Sequence, residues 1–179
     1  MPYSTPIDIA SWPGALECAQ ACTPKHLPIP AADVMEALLR GTALPPGATA
    51  PHIASATAAL ANLNAALTKA DRRIDAVLQV AGYTLPLSPV PTLLQEISLD
   101  ITRFLMHADL RINTANSTDG QHPVHAAYER AEKYLTQIQN RTISLGADDP
   151  EPPTSTSGAA YFGGETRHWK RNSRGLSDG

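Results

Sequence analysis

The chain has 179 residues, a net charge of −3, 42% hydrophobic residues and only 5% aromatic ones. That length suits one domain with extensions or a mobile tail, and the near-neutral balance excludes a polycation that coats nucleic acid. Alanine and leucine carry most of the apolar content, so the core is thin and its helices need close neighbours, which oligomerisation can supply.

Residues 1–49 form a proline-broken segment. Pro2, Pro6, Pro13, Pro24, Pro28 and Pro30 allow only short helices. One is expected to start at Thr5-Pro6, with Thr5 as cap and Pro6 in the first turn. A second covers Ala15 to Cys22, and a third Ala31 to Arg40, with Val34, Leu38 and Leu39 inward and Gly41 as its stop. Cys18 and Cys22, the only cysteines, fall four apart on one helix face. They read as two small thiols in a reducing compartment, because no CxxC pair completes a four-ligand zinc site. The N-terminus has no signal peptide, so the product is expected to stay in the cytoplasm of the cell that makes it.

A helical core domain is expected over residues 50–146. Its long helix runs from about 50 to 80, with Ile53, Leu60, Leu67 and Ile74 on one seven-residue series and Ala56, Leu63, Ala70 and Val77 on another. The offset of three between the series is a coiled-coil-like seam. Two readings stay open: a seam between subunits or along the chain, or one helix of an ordinary bundle. Residues 41–68 hold no charged residue, yet prolines, asparagines and hydroxyls interrupt them, so a membrane span is not expected. A helix covered on most sides by protein is.

A proline-pinned corner follows at 81–91. Gly82 permits the left-handed backbone that ends a helix, and Pro86, Pro89 and Pro91 each fix φ. The next helix, about 92–110, buries Leu94, Ile97, Ile101, Phe104, Leu105 and Ala108, with Asp100 and Arg103 placed to pair at i,i+3. Residues 113–121 are a polar loop. The last helix, about 123–140, turns Val124, Ala127, Tyr128, Ala131, Leu135 and Ile138 inward. Beyond Gly146 the chain is first acidic and Pro/Ser/Thr-rich, then basic and aromatic. Residues 147–179 thus read as a flexible linker and a C-terminal arm that orders on a partner.

Three elements resemble the small head–tail joining proteins of Mu-like tailed phages. They are Ile74-Asp75 at a helix end, the Gly82–Leu87 corner, and the Asp100-Ile101-Thr102-Arg103 face of the following helix. The likeness runs from about Asp71 to Leu145 and returns in the tail at Arg174-Gly175. It implies a neck or adaptor subunit in the virion, made in the host bacterial cytoplasm. Such a subunit would form a ring, roughly twelvefold, against the portal protein and prepare the site for the next neck or tail protein. The arm residues Tyr161, Phe162, Arg167, Trp169, Lys170, Arg171 and Arg174 are the expected portal contacts. Ile53, Leu60, Leu63, Leu67 and Ile74 are the expected subunit seam. Lys69, Arg72 and Arg73 would face the channel through which genomic DNA passes without sequence recognition.

No motif for catalysis or for a cofactor is present: no GxSxG, Walker loop, HExxH or dinucleotide glycine pattern. His122 and His125, with Asp119 and His107, lack a fourth ligand and read as helix-end histidines rather than a metal site. The expectation is an all-α protein: a small bundle with one long helix, short N-terminal helices and an extended C-terminal arm. It is not expected to be an enzyme, bind a cofactor or enter a membrane. The rival readings are a tail-completion or terminator ring protein and a small helical regulator that binds nucleic acid.

Overall fold

A computed structural model describes residues 2–107 and 122–146. Helices make up the whole ordered framework, and no strand occurs among the described residues. In chain order they are α1 (Pro6–Ile9), α2 (Ala15–Cys22), α3 (Ala32–Arg40), α4 (Ala50–Ala81), α5 (Thr92–Met106) and α6 (Pro123–Gln139). A wide turn at Ala10–Gly14, non-helical at Trp12, joins α1 to α2. The fold is all-α, as the residue pattern implies.

Prolines and glycines set the boundaries as expected. Helix α1 starts at Pro6, though the capping contact runs backwards: the Asp8 carboxylate accepts both the Thr5 N–H and the Thr5 hydroxyl at 2.7 Å. Gly82 ends α4 with φ 90. Its N–H donates to Gln79 O and the Tyr83 N–H to Leu78 O, so two carbonyls that helix termination would orphan are satisfied. Gly41 closes α3 the same way, at φ 65. Helix α5 stops at Met106, earlier than position 110. Ala108 and the loop at 113–121 lie outside the described residues.

Helix α4 is the spine, and it serves two cores. Its first half contributes Ala56, Ala59, Leu63, Ala66 and Leu67 to a cluster with Ile9, Cys18, Cys22, Val34, Met35 and Leu39 from the N-terminal helices. Its second half contributes Ala70, Ile74, Leu78 and Ala81 to a cluster with Leu94, Ile97 and Ile101 of α5 and Ala131, Leu135 and Ile138 of α6. Leu63, Ile74, Leu78, Leu94, Ile97 and Ile138 are among the largest fully buried side chains. Each contributes roughly 1.5–3 kcal/mol by leaving water. The corner after α4 is packed rather than loose, with Tyr83 and Leu87 buried in the second cluster and Leu85 and Val90 against it.

The long seam is therefore filled by the chain itself. Leu63, Leu67 and Ile74 are buried inside it, and Ile53 and Leu60 are half-buried against the first cluster. The arrangement is an intra-chain bundle face, not a free surface for sister copies. Its physical cause is the alanine content: side chains this small let α2, α3, α5 and α6 all close on one helix. The uncharged stretch is also less covered than expected. Ala54, Thr57, Ala61, Asn64, Ala65 and Thr68 face outward. Thr57 and Thr68 satisfy their hydroxyls by donating to the carbonyls four residues back, at 2.8 Å in each case.

The N-terminus is a strap across the bundle. Tyr3 is buried in the second cluster and Ile9 in the first, so residues 3–9 connect the two. The Tyr3 N–H donates to Asp71 at 3.2 Å and its hydroxyl to Asp75 at 2.5 Å. Ser4 and Ser98 share a buried hydroxyl hydrogen bond at 2.7 Å. Burial, then the hydrogen bond to Asp75, pushes the Tyr3 phenol above its ordinary range. Burial also raises the Asp71 carboxyl, with Asp75 adding to it against the pull of the Tyr3 amide.

Ala70 is fully buried where α4 meets the second cluster, whereas Ala61 faces solvent on the same helix. Ala70→Leu is expected to destabilise the protein by about 1–3 kcal/mol through overpacking. Ala61→Leu should stay within about 0.5 kcal/mol. Urea unfolding followed by circular dichroism measures both, and equal effects would contradict the spine arrangement.

Candidate functional site

The polar contacts of α5 reach both α2 and α6. Asp100, Ile101, Thr102 and Arg103 occupy one turn and point three ways. Ile101 and Thr102 are buried. Asp100 accepts from Arg130 of α6 at 3.2 Å. Arg103 turns the other way and forks onto Glu17 of α2, with Nε at 2.6 Å and a terminal nitrogen at 2.8 Å. The expected Asp100–Arg103 pair is not formed. Each residue has a partner on another helix, which ties tertiary elements together as an i,i+3 pair cannot.

Around Arg103 the contacts form a small network. His107 Nε2 lies 2.9 Å from the same Glu17 carboxylate. The guanidinium sits 4.9 Å from the centre of the Trp12 ring, a cation–π contact. Burial pushes the Glu17 carboxyl up, but the hydrogen bonds from Arg103 and His107 and their charge outweigh it and hold the group below its ordinary range. Trp12, Glu17 and this role of His107 escape a reading of the residues alone. One signal was available: Glu17 is the sole acid between positions 9 and 32.

A groove of about 470 Å³ opens beside this network, between α5, α6 and the Trp12 turn. Leu93, Ile97, Leu99 and Trp12 line its apolar part, and Glu96, Asp100, Arg130 and Tyr134 its polar part. Trp12 remains 43% exposed although Arg103 covers part of it. Glu96 is exposed and has no ion-pair partner among the described residues. A larger cleft of about 740 Å³ lies between the end of α2, α4 and the end of α5; Lys25, Lys69 and His107 are its basic side chains, and no acid is among its described lining residues. A third, of about 270 Å³, is walled by Tyr3, Asp75 and the corner.

The basic cluster on α4 divides. Lys69 and Arg72 are exposed and have no ion-pair partner among the described residues. Arg73 is bound to Glu132 of α6 at 2.5 Å and lies 5.9 Å from the Tyr128 ring centre, so it is a bundle contact rather than a free charge. The histidines at α6 take local roles: His122 Nδ1 accepts the Val124 N–H at 3.3 Å, and His125 meets the Phe104 ring edge-on. The described residues include no group of three metal-ligating side chains. Cys18 and Cys22 are buried free thiols 3.9 Å apart; the hydrogen bond between them and then burial push the Cys22 thiol up. No described helix is long and apolar enough to cross a membrane. Tyr161, Phe162, Arg167, Trp169, Lys170, Arg171 and Arg174 lie outside the described residues.

The family described as Bacteriophage Mu, Gp36 matches residues 3–162. The chain belongs to the bacteriophage Mu Gp36 family. The match takes in the proline-broken N-terminus as well as α4 to α6, so the strap, the Glu17 helix and the α5 junction all fall inside it. It ends at Phe162, before the basic tract of the tail. No curated protein and no solved structure matches the chain. Membership of a phage family points to a phage structural or morphogenesis protein.

The Glu17 carboxyl is held low in the folded protein, so the fold favours its ionised form. The stability it adds is present above the ordinary carboxylate range and is lost as pH falls through the lowered value. Arg103→Met leaves Glu17 with His107 as its remaining partner in the network. The variant is expected to lose about 1–2 kcal/mol at neutral pH, with a flatter decline into acid. Urea midpoints of both proteins across the acid range check this, and parallel acid profiles would contradict it.

Proposed function

We infer that this Gp36-family protein is a head–tail connector subunit: a neck adaptor that assembles as a ring under the portal and links the DNA-filled head to the next neck or tail component. The observation that carries the reading is the family match across residues 3–162. The structure supports a mechanical role in two ways. The charged contacts at α5 are spent on tying helices to one another, as rigidity requires. The long helix also keeps an uncharged, small-residue face outward at Ala54, Thr57, Ala61, Ala65 and Thr68.

Because the heptad seam lies inside the chain, ring contacts fall on outward surfaces instead. The outer face of α4 is the one long enough to run along a sister copy, being part of a 32-residue helix. Lys69 and Arg72, exposed on the same helix, then supply the few non-specific charges for DNA passing through the lumen. The subunit works by surface complementarity and catalyses nothing. Its tail captures the portal, with Trp169 as the apolar anchor and Arg167, Lys170, Arg171 and Arg174 meeting acids.

Deletion of residues 159–179 is expected to leave a body with unchanged helical content that no longer joins portal-bearing heads in an in-vitro joining assay. Unchanged joining would overturn the reading of the tail as the portal contact.

A further inference from the structure

The basic, aromatic end of the chain has a complement on its own body. Residues 166–176 carry Arg167, Trp169, Lys170, Arg171 and Arg174 and no acid. Such a tract needs an apolar slot for the indole and anions beside it. The cleft of about 740 Å³ presents the exposed Lys69 and no acid among its described lining residues. In the smallest, Asp75 is already engaged by the Tyr3 hydroxyl. The groove beside α5 meets both needs. Its floor of Leu93, Ile97 and Leu99 is apolar, Trp12 presents a ring at its edge, and Glu96 stands exposed without a partner among the described residues. At about 470 Å³ it has the volume of a site for a compact organic group.

We propose that this groove holds the tract 166–176 of the same chain before the subunit meets the head, with Trp169 against Trp12 and the cations beside Glu96, the groove acid that Arg130 does not already hold. The inference rests on the reading of residues 159–179 as a docking arm and adds where that arm sits when no portal is present. Reach is sufficient. Gly146 and Trp169 are 23 residues apart, and random-coil scaling gives a chain of that length a reach of about 25 Å, against a radius of gyration near 15 Å for a body of this size. Tethering also gives the groove a local arm concentration on the order of millimolar, far above that of a second copy in dilute solution. A held arm leaves the portal contact masked until a stronger acidic and apolar surface displaces it.

Trp12 and Trp169 are the only tryptophans, so both sides of the proposed contact can be read at once. Full-length protein labelled with fluorotryptophan gives two fluorine resonances, and Trp169→Ala leaves the Trp12 line alone. The Trp12 line is expected to move between the two proteins at every dilution. Glu96→Lys, which touches no ion pair among the described residues, is expected to return it to the position seen in Trp169→Ala. A Trp12 line at the same position with and without Trp169 overturns the proposal, as does a displaced line that Glu96→Lys leaves in place. A displacement that appears only on concentration, with doubled mass in light scattering, overturns it in favour of a second copy as the occupant. Head joining reports separately: full-length protein whose Trp12 line shows the groove empty, yet which still joins heads, overturns this inference and leaves the portal reading standing.

Discussion

Closure of four helices on α4 is the constraint from which the rest of the molecule follows. A helix of 32 residues presents far more surface than one partner can cover, and alanines at 56, 59, 66, 70 and 81 let several helices approach it closely. The N-terminal helices take one half and α5 with α6 take the other, each around a few fully buried Leu and Ile side chains. Two cores on one spine stay coupled because neither half of the spine can move without the other. The Tyr3–Ile9 strap and Leu105, which packs against both clusters, reinforce that coupling from outside the spine.

The α5 turn from Asp100 to Arg103 adds the polar half of the same design. Four consecutive residues face α6, the core and α2 in turn, so the orientation of α5 fixes both neighbours. The Arg103–Glu17 fork is half sheltered, which makes it more than a surface pair and less than a buried charge. The arginine's flat underside also shapes the Trp12 side of the apolar groove. Local charge pairing, helix orientation and the groove beside Trp12 thus have one origin.

Much of this was legible in the residues, and what was not has a physical reason. Helix ends were legible because Gly41, Gly82, Pro6 and Pro123 act through their own backbone geometry. The buried faces of α4, α5 and α6 were legible because periodicity is a property of a single helix. The partner of the α4 seam was not: a heptad pattern says that a face is covered, not whether the cover comes from the same chain. The Asp100–Arg103 pair failed for the same reason, since spacing along a helix cannot reveal that Glu17 and Arg130 come closer. Met35 and Ala37 of α3 were missed because that helix is covered on a broader arc than its strongest apolar residues indicate. The groove needed three separate elements and had no sequence signal beyond a tryptophan in a proline turn.

The proposed connector role makes this phage-family protein a part that works by fitting between other parts. Three-dimensional reconstruction of the purified virion neck, computed without imposed icosahedral averaging, tests that account most directly. The account predicts a closed ring of copies of the α1–α6 body immediately below the portal, with outer faces of α4 turned toward sister copies. Virions that lack the protein while the infected-cell lysate contains it, or that carry it away from the portal vertex, would contradict it.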